Sequence, residues 1–253
     1  KYRIESGDGQ TMFLSTPAIT SARAYRTPAL VASSKYGLQA IGIDGGPDLP
    51  ILDGRNLARR WTTGQQPDNP AIASLNLSGR WRTPPVAADG TVFVDDDGVT
   101  AVDASSGSVQ WTERFIQVDF RPAVVDGSVY IVSYEGSVRE LSAKDGRTRW
   151  TEEGVAVRPE VQPVVANERV YVVHEEGVTA VATSDGTPHW TRGQPTGEYG
   201  RYVTAPAVTP DALYVAGTEL FGEDADALVA LDAETGDRLW DAPLSSVSQN
   251  TDG

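Results

Sequence analysis

Four of the six tryptophans in this sequence end the same kind of phrase. The clearest copy is Ala230-Leu231-Asp232-Ala233-Glu234-Thr235-Gly236-Asp237-Arg238-Leu239-Trp240. The second is Ala101-Val102-Asp103-Ala104-Ser105-Ser106-Gly107-Ser108-Val109-Gln110-Trp111. Weaker copies run from Glu140 through Gly146 to Trp150 and from Ala180 through Gly186 to Trp190. In every copy a glycine stands four residues before the tryptophan. A period of about 40 residues marks a repeat architecture, and it limits the available folds more tightly than local propensity does.

The surroundings of each phrase repeat as well. Pro85, Pro122, Pro163 and Pro206 each precede a short apolar stretch, followed by a tight turn at Asp89-Gly90, Asp126-Gly127, Asn167-Glu168 or Pro210-Asp211. Next come strand-like runs, Val92-Phe93-Val94, Val129-Tyr130-Ile131-Val132, Val170-Tyr171-Val172-Val173 and Leu213-Tyr214-Val215. Asp97-Gly98, Glu135-Gly136 and Glu176-Gly177 then lead into a third run. β-Branched and aromatic runs separated by glycine turns read as hairpins. No helical periodicity extends over twelve residues. Each unit therefore holds four short antiparallel strands, A to D, and is too small to bury its own faces. That is the pattern of a β-propeller blade. The tryptophan ending strand D is expected to pack on the next unit, where small Ala and Gly positions leave room. Packing, rather than ligand stacking, is the expected role of Trp111, Trp150, Trp190 and Trp240 and of Gly107, Gly146, Gly186 and Gly236.

The phrase A-x-D-x-x-T-G-x-x-x-W, as at Ala230–Trp240, resembles the tryptophan-docking motif of quinoprotein propellers. The whole unit resembles the PQQ-like repeat that also builds the outer-membrane assembly lipoprotein BamB. The likeness is good over residues 81 to 240 and poor over 12 to 61. Ser142 and Ala182 stand where the motif has Asp, as Asp103 and Asp232 do; Ser106, Asp145 and Asp185 stand where it has Thr. These departures put the turn hydrogen bond of those units in question, not the fold. The resemblance implies a single all-β propeller domain over 1–253, with approximate units 1–61, 62–111, 112–150, 151–190 and 191–240 and a partial unit 241–253. Pro28 marks strand A of the degenerate first unit, Trp81 falls out of phase, and the first dozen residues are available as a closing strand. Relatives usually carry seven or eight blades. Five to six here leave two alternatives, an incomplete ring or closure as a small propeller.

Composition removes several kinds of chemistry. The 253 residues include no cysteine, so disulfides, Cys-ligated zinc, iron–sulfur clusters and thiol nucleophiles are excluded. No apolar run approaches a membrane span. The net charge of −14 disfavours nucleic acid and anionic lipid as partners. Lysine occurs only at 1, 35 and 144, while arginine and aspartate are abundant. Such a carboxylate surface resembles that of proteins from salt-loving archaea; an ordinary acidic protein is the alternative. The start at Lys1, with no signal peptide, suggests a processed, trimmed or partial chain.

The sequence carries no recognisable catalytic or metal-binding motif. His174 and His189 match no zinc spacing. Asp95-Asp96-Asp97-Gly98 lacks the spacing of a calcium loop, and Glu223-Asp224-Ala225-Asp226 is no better. There is no G-x-S-x-G, P-loop or dinucleotide motif. Many quinoprotein dehydrogenases cover their cofactor with adjacent cysteines and hold calcium beside it with Glu, Asn and Asp. No such set is recognisable here, so no cofactor is expected.

Two features point to binding. The long segments Thr62–Arg80, Thr191–Arg201 and 219–226 all fall on the face of the B–C and D–A loops, where repeat proteins often bind partners. Arg26, Arg82, Arg121, Arg158 and Arg201 lie at or near the prolines of strand A, so some of them are candidates for an anion-binding ring at the channel mouth; local pairing with Asp or Glu is the alternative. The expected function is a non-catalytic scaffold for protein interaction or cell-surface assembly, located extracellularly or at the surface; a cytoplasmic location in a salt-accumulating cell is the alternative. A fragment of a PQQ-dependent dehydrogenase and a sensor module of a larger signalling protein are the alternatives. The oligomeric state is not legible.

Overall fold

The computed structural model describes residues 84–95, 98–114, 121–156, 161–193, 201–218 and 226–244, together with the backbone of six strands that precede them. Contacts group the chain into two compact units, Lys1–Val129 with Ser142–Arg147, and Tyr130–Leu141 with Thr148–Gly253. All regular structure among the described residues is β.

In the first unit, β1 (Arg3–Ser6) and β2 (Gly9–Met12) form a hairpin of their own. A four-stranded antiparallel meander follows: β3 (Ala18–Thr20), β4 (Ala29–Ser34), β5 (Gly37–Ile43) and β6 (Leu57–Thr63). The next meander comprises β7 (Val86–Ala88), β8 (Thr91–Asp95), β9 (Gly98–Asp103) and β10 (Val109–Arg114). The third sheet has the order β11 (Ala123–Val125), β12 (Ser128–Val132), β13 (Val138–Ser142), β14 (Thr148–Glu152); its residues up to Val129 and Ser142–Arg147 group with the first unit, and the rest with the second. Within the first unit the A strands β3, β7 and β11 lie next to one another, as innermost strands of successive blades do.

The second unit holds the sheet β15 (Val164–Ala166), β16 (Arg169–His174), β17 (Gly177–Ala182), β18 (Pro188–Gly193). Its last sheet has five strands: β19 (Arg201–Tyr202), β20 (Ala207–Val208), β21 (Ala212–Thr218), β22 (Asp226–Asp232) and β23 (Arg238–Leu244). Both β19 and β20 pair with β21, so the innermost strand of this sheet is broken in two.

Burial explains the residue choice strand by strand. The middle strands are buried on both faces, β12 along its whole length, and they read as near-continuous Val, Tyr and Ile. The outer strands β10 and β18 alternate exposed with half-buried positions and carry Arg, Thr and Glu or His. One apolar core lies between the last two sheets, where Tyr171, Val173 and Val178 meet Tyr202, Leu213 and Val229. Each A-strand proline stands immediately before its strand, where a missing N–H costs no ladder bond.

Three A–B turns have left-handed backbone at both central residues: Asp89-Gly90, Asp126-Gly127 and Asn167-Glu168. That is the type I′ geometry whose twist suits a two-residue hairpin. Each C–D turn is tied to the A–B turn of its own sheet, by Ala104 N–H to Gly90 O, Ala143 N–H to Gly127 O, Thr183 N–H to Glu168 O and Ala233 N–H to Asp211 O. The two kinds of tight turn therefore share one face, as the meander requires.

Several expectations need adjustment. The tryptophan does not end strand D; it is the third residue of β10, β14, β18 and β23, and each strand continues beyond it. The repeated phrase is instead the end of strand C, its turn and the start of D. Units drawn to end at Trp111, Trp150, Trp190 and Trp240 therefore close inside their last strand. Pro28 precedes β4, the second strand of the first sheet; its A strand is β3. Within the first dozen residues, β1 and β2 pair with each other.

Candidate functional site

Backbone register places the tryptophans equivalently. Trp111, Trp150, Trp190 and Trp240 stand opposite Ala101, Glu140, Ala180 and Ala230 on strand C, with a register shift between that pair and the next. Trp61 stands opposite Ala40 in the same way, which aligns β5–β6 with the other C–D pairs. The extra residue of the bulge sharpens the local twist and turns the indole across the sheet face.

Each indole then rests on a turn of the following sheet. Trp111 Nε1–H donates to Ala143 O at 3.0 Å, within the first unit. In the second unit Trp150 donates to Thr183 O at 2.9 Å and Trp190 to Ala233 O at 3.3 Å. The ring lies on the turn glycine: a Cβ on Gly146, Gly186 or Gly236 would stand 2.6–2.7 Å from Cε3 of Trp111, Trp150 or Trp190. These glycines and Gly107 also have positive φ. An aromatic of strand B supports each indole from behind: Phe93, Tyr130, Tyr171 and Tyr214 lie 5.8–6.1 Å from their tryptophans, tilted by 44–52°. Tilted contacts at this spacing are favourable for ring quadrupoles. Trp240 is 44% exposed, with Leu239 and Leu244 exposed beside it on β23.

Where the phrase carries Asp, the carboxylate takes groups of its own turn. Asp103 Oδ1 accepts the N–H and hydroxyl of both Ser105 and Ser106. Asp232 Oδ1 accepts the N–H of Glu234 and of Thr235 at 2.9 Å each. The hydroxyl of Ser105 holds the Asp103 carboxyl below its ordinary value, and the Thr235 N–H does the same for Asp232. Where Asp is replaced, the turn survives by other means. Gly146 N–H still reaches Ser142 O, and Gly186 N–H reaches Ala182 O. Asp145 and Asp185 accept instead from the N–H groups of Arg147 and Thr187. The Ser142 hydroxyl lowers the Asp145 pKa, so there the carboxylate and its donor have exchanged positions.

A second set of links crosses between the last two sheets near the same turns. Asn167 Nδ2–H donates to Thr209 O at 2.8 Å, Arg169 Nη2 pairs with Glu234 Oε2 at 2.5 Å, and the Tyr171 hydroxyl donates to Ala233 O at 3.4 Å. The Arg169 side chain is mostly buried. None of these residues stood out in the sequence as inter-sheet links.

The histidines have different settings. His189 is exposed on β18. His174 is buried at the end of β16; its Nδ1 accepts the Glu176 N–H at 3.3 Å and its Nε2 lies 3.0 Å from Thr179 Oγ1. Thr179 continues to Thr191 at 3.0 Å, as Thr100 does to Thr112 in the second four-stranded sheet. Burial pushes the His174 imidazole below its ordinary pKa. Glu140, buried where the equivalent positions are Ala, meets Arg149 Nη1 at 2.5 Å.

Of the candidate arginines, Arg26, Arg82 and Arg158 lie outside the described residues. Arg121 is half-buried just before β11, and Arg201 stands in β19 opposite Thr218. The 62–80 and 191–201 segments fall outside the described residues apart from their strand ends, as do Asp96, Asp97 and Glu223-Asp224-Ala225. Among the described residues, no three His, Asp or Glu side chains converge as a metal site, and no helix is long and apolar enough to cross a membrane.

The family model described as "Outer membrane protein assembly factor BamB" matches residues 51–162 and 154–253. The chain belongs to that family of PQQ-like β-propeller repeats. BamB of Salmonella typhimurium is 29% identical over 150 residues, 53% of this chain and 37% of that protein. The serine/threonine-protein kinase AfsK of Streptomyces griseus is 30% identical over 156 residues, 56% of this chain and 18% of the kinase. The chain therefore matches well under half the length of either relative. Among solved structures, a europium-containing methanol dehydrogenase aligns with a TM-score of 0.57 at 13% identity, over 93% of this chain and 53% of that one. Quinohemoprotein alcohol dehydrogenase of Comamonas testosteroni aligns with a TM-score of 0.53 at 19% identity, over 62% and 34%. At these identities the structural likeness concerns the fold alone.

Proposed function

We propose that the chain is a non-catalytic propeller scaffold that holds a protein or cell-surface component in an extracytoplasmic setting. The observation that carries this reading is the match to the BamB family model on both sides of residue 154. On this reading the Trp111–Gly146, Trp150–Gly186 and Trp190–Gly236 contacts are the joints between blades of one propeller domain, and Asp103 and Asp232 brace the turns they rest on. The polar groups described above fit that role, since they brace turns and strands of the protein itself. Fold alone assigns no cofactor, because one fold hosts many functions.

Titration with pyrroloquinoline quinone and Ca²⁺, followed by absorbance and alcohol oxidation, tests the reading. Neither a spectral change nor activity is expected; stoichiometric quinone binding would replace the scaffold by a dehydrogenase fragment. The AfsK likeness favours a second reading, a sensor module of a longer signalling protein. An output domain encoded in the same reading frame would favour it. The arginine ring is a subordinate part of the proposal, tested by Arg121→Gln with Arg158→Gln: unchanged binding of a carboxylate or phosphate probe removes it.

A further inference from the structure

The gap that is bridged between the last two sheets has an open counterpart in the first unit. A groove of about 640 Å³ lies beside the tight turns of β7–β8 and β11–β12. Its floor is Ala88, Phe93, Val124 and Ala143, all buried or half-buried, and its rim includes the exposed Asp89, Gln110, Asp126 and Lys144.

Register identifies what has changed. Thr91 begins strand B opposite Ala88, as Arg169 does opposite Ala166. Asp89 therefore occupies the place of Asn167, Thr91 that of Arg169, and Phe93 that of Tyr171. The indole bonds to Ala143 O and Ala233 O likewise set Lys144 in the place of Glu234. Each substitution removes one of the links seen in the second unit. The carboxylate of Asp89 has no N–H to give across the gap, threonine is too short to span it, phenylalanine has no hydroxyl, and Lys144 reverses the charge that Arg169 meets. Thr91 Oγ1 turns instead to Gln110 Oε1 at 3.2 Å.

We infer that this groove is a docking site for an arginine side chain of a partner protein. The second unit shows that the equivalent space accepts an arginine, because Arg169 lies there mostly buried. In the open groove, Asp89 and Asp126 offer carboxylates to the incoming guanidinium, and the half-buried Ala88 and Val124 offer apolar surface to its methylene stem. The groove exceeds the size of one side chain, which leaves room for flanking backbone. Lys144 on the rim meets an acidic residue next to that arginine. A chain of net charge −14 also steers a basic segment towards it. The inference rests on the scaffold reading. Its failure would leave that reading in place, since quinone titration decides the latter.

The test uses the whole ¹⁵N-labelled chain and a capped hexapeptide of Gly and Ser carrying one Arg followed by one Glu. Saturable amide shifts at Thr91, Gln110 and Gly127 are expected, with a Kd on the order of millimolar for so few contacts. Replacing the peptide arginine by citrulline should abolish them. Asp89→Asn with Asp126→Asn should weaken binding at least about tenfold while leaving the spectrum of a folded protein, because Asn tolerates the left-handed turn. Thr91→Arg with Lys144→Glu installs the second unit's ion pair and should exclude the peptide. Absence of shifts at 10 mM on the order of several Kd, equal shifts with citrulline, or undiminished binding by the Thr91→Arg/Lys144→Glu protein would overturn the inference. So would binding of acetyl-arginine amide as tight as that of the peptide, which would make the groove a small-cation site.

Discussion

Gly186 lies against the indole of Trp150 so closely that a Cβ placed on it would stand 2.6 Å from Cε3. Its φ of +81° is a second obstacle, since side chains rarely adopt that backbone. Gly186→Ala is therefore expected to destabilise the protein by about 2–3 kcal/mol through overpacking and backbone strain together. Gly90→Ala has the strain without the clash, because no atom lies within 4 Å of its added Cβ. Urea unfolding that gives equal losses for the two variants would dismiss the indole contact as a determinant.

The indole N–H can be separated from the indole surface. Trp150→Phe keeps an aromatic beside Tyr130 but leaves Thr183 O without this donor. A loss of about 1–2 kcal/mol is expected, against about 3–5 kcal/mol for Trp150→Ala. If both variants lose the same amount in chemical denaturation, the hydrogen bond contributes nothing beyond packing.

Glu168 holds a φ of +58°, where the corresponding A–B turns have Gly90 and Gly127. Its backbone carbonyl, not its side chain, accepts from Thr183. Glu168→Gly removes the left-handed strain and retains that bond, so a gain of roughly 0.5–1 kcal/mol is expected. The melting temperature should rise; a fall would mean that the Glu168 side chain has a stabilising role.

Arg149 faces the buried Glu140 carboxylate. Arg149→Met should cost about 3 kcal/mol by leaving that charge without its guanidinium partner. Glu140→Ala with Arg149→Gln, the pair found at Ala101 and Gln110, should restore most of the loss. Failure of the double variant to recover stability would show that Glu140 is needed for more than this pair.

Stability should also depend on pH through His174. Its native pKa lies below the ordinary 6.5, because burial disfavours the imidazolium. The unfolded chain then binds the proton first, so this contribution is intact above about pH 6.5 and declines as the pH falls below it. Asp103 and Asp232 act further down: their native values lie below 3.8, so their contribution declines as acid approaches and passes that range. His174→Gln should flatten the upper part of the urea-midpoint profile only. A profile unchanged between pH 5 and 7 would remove His174 as its cause.

The strand order, the turn positions and the equivalence of the four tryptophan phrases could be read from the sequence, because glycine turns and apolar runs act within a few residues. Trp61, outside the four clear phrases, takes the same register opposite Ala40. The position of each tryptophan within its strand was not legible, since a bulge is a two-strand property. Nor were the ion pair of Arg169 with Glu234, 65 residues apart, or the groove that its absence leaves beside Thr91. Local chemistry specified the individual sheets; which side chains face one another between them depended on how the sheets stack, and no short stretch of residues encodes that.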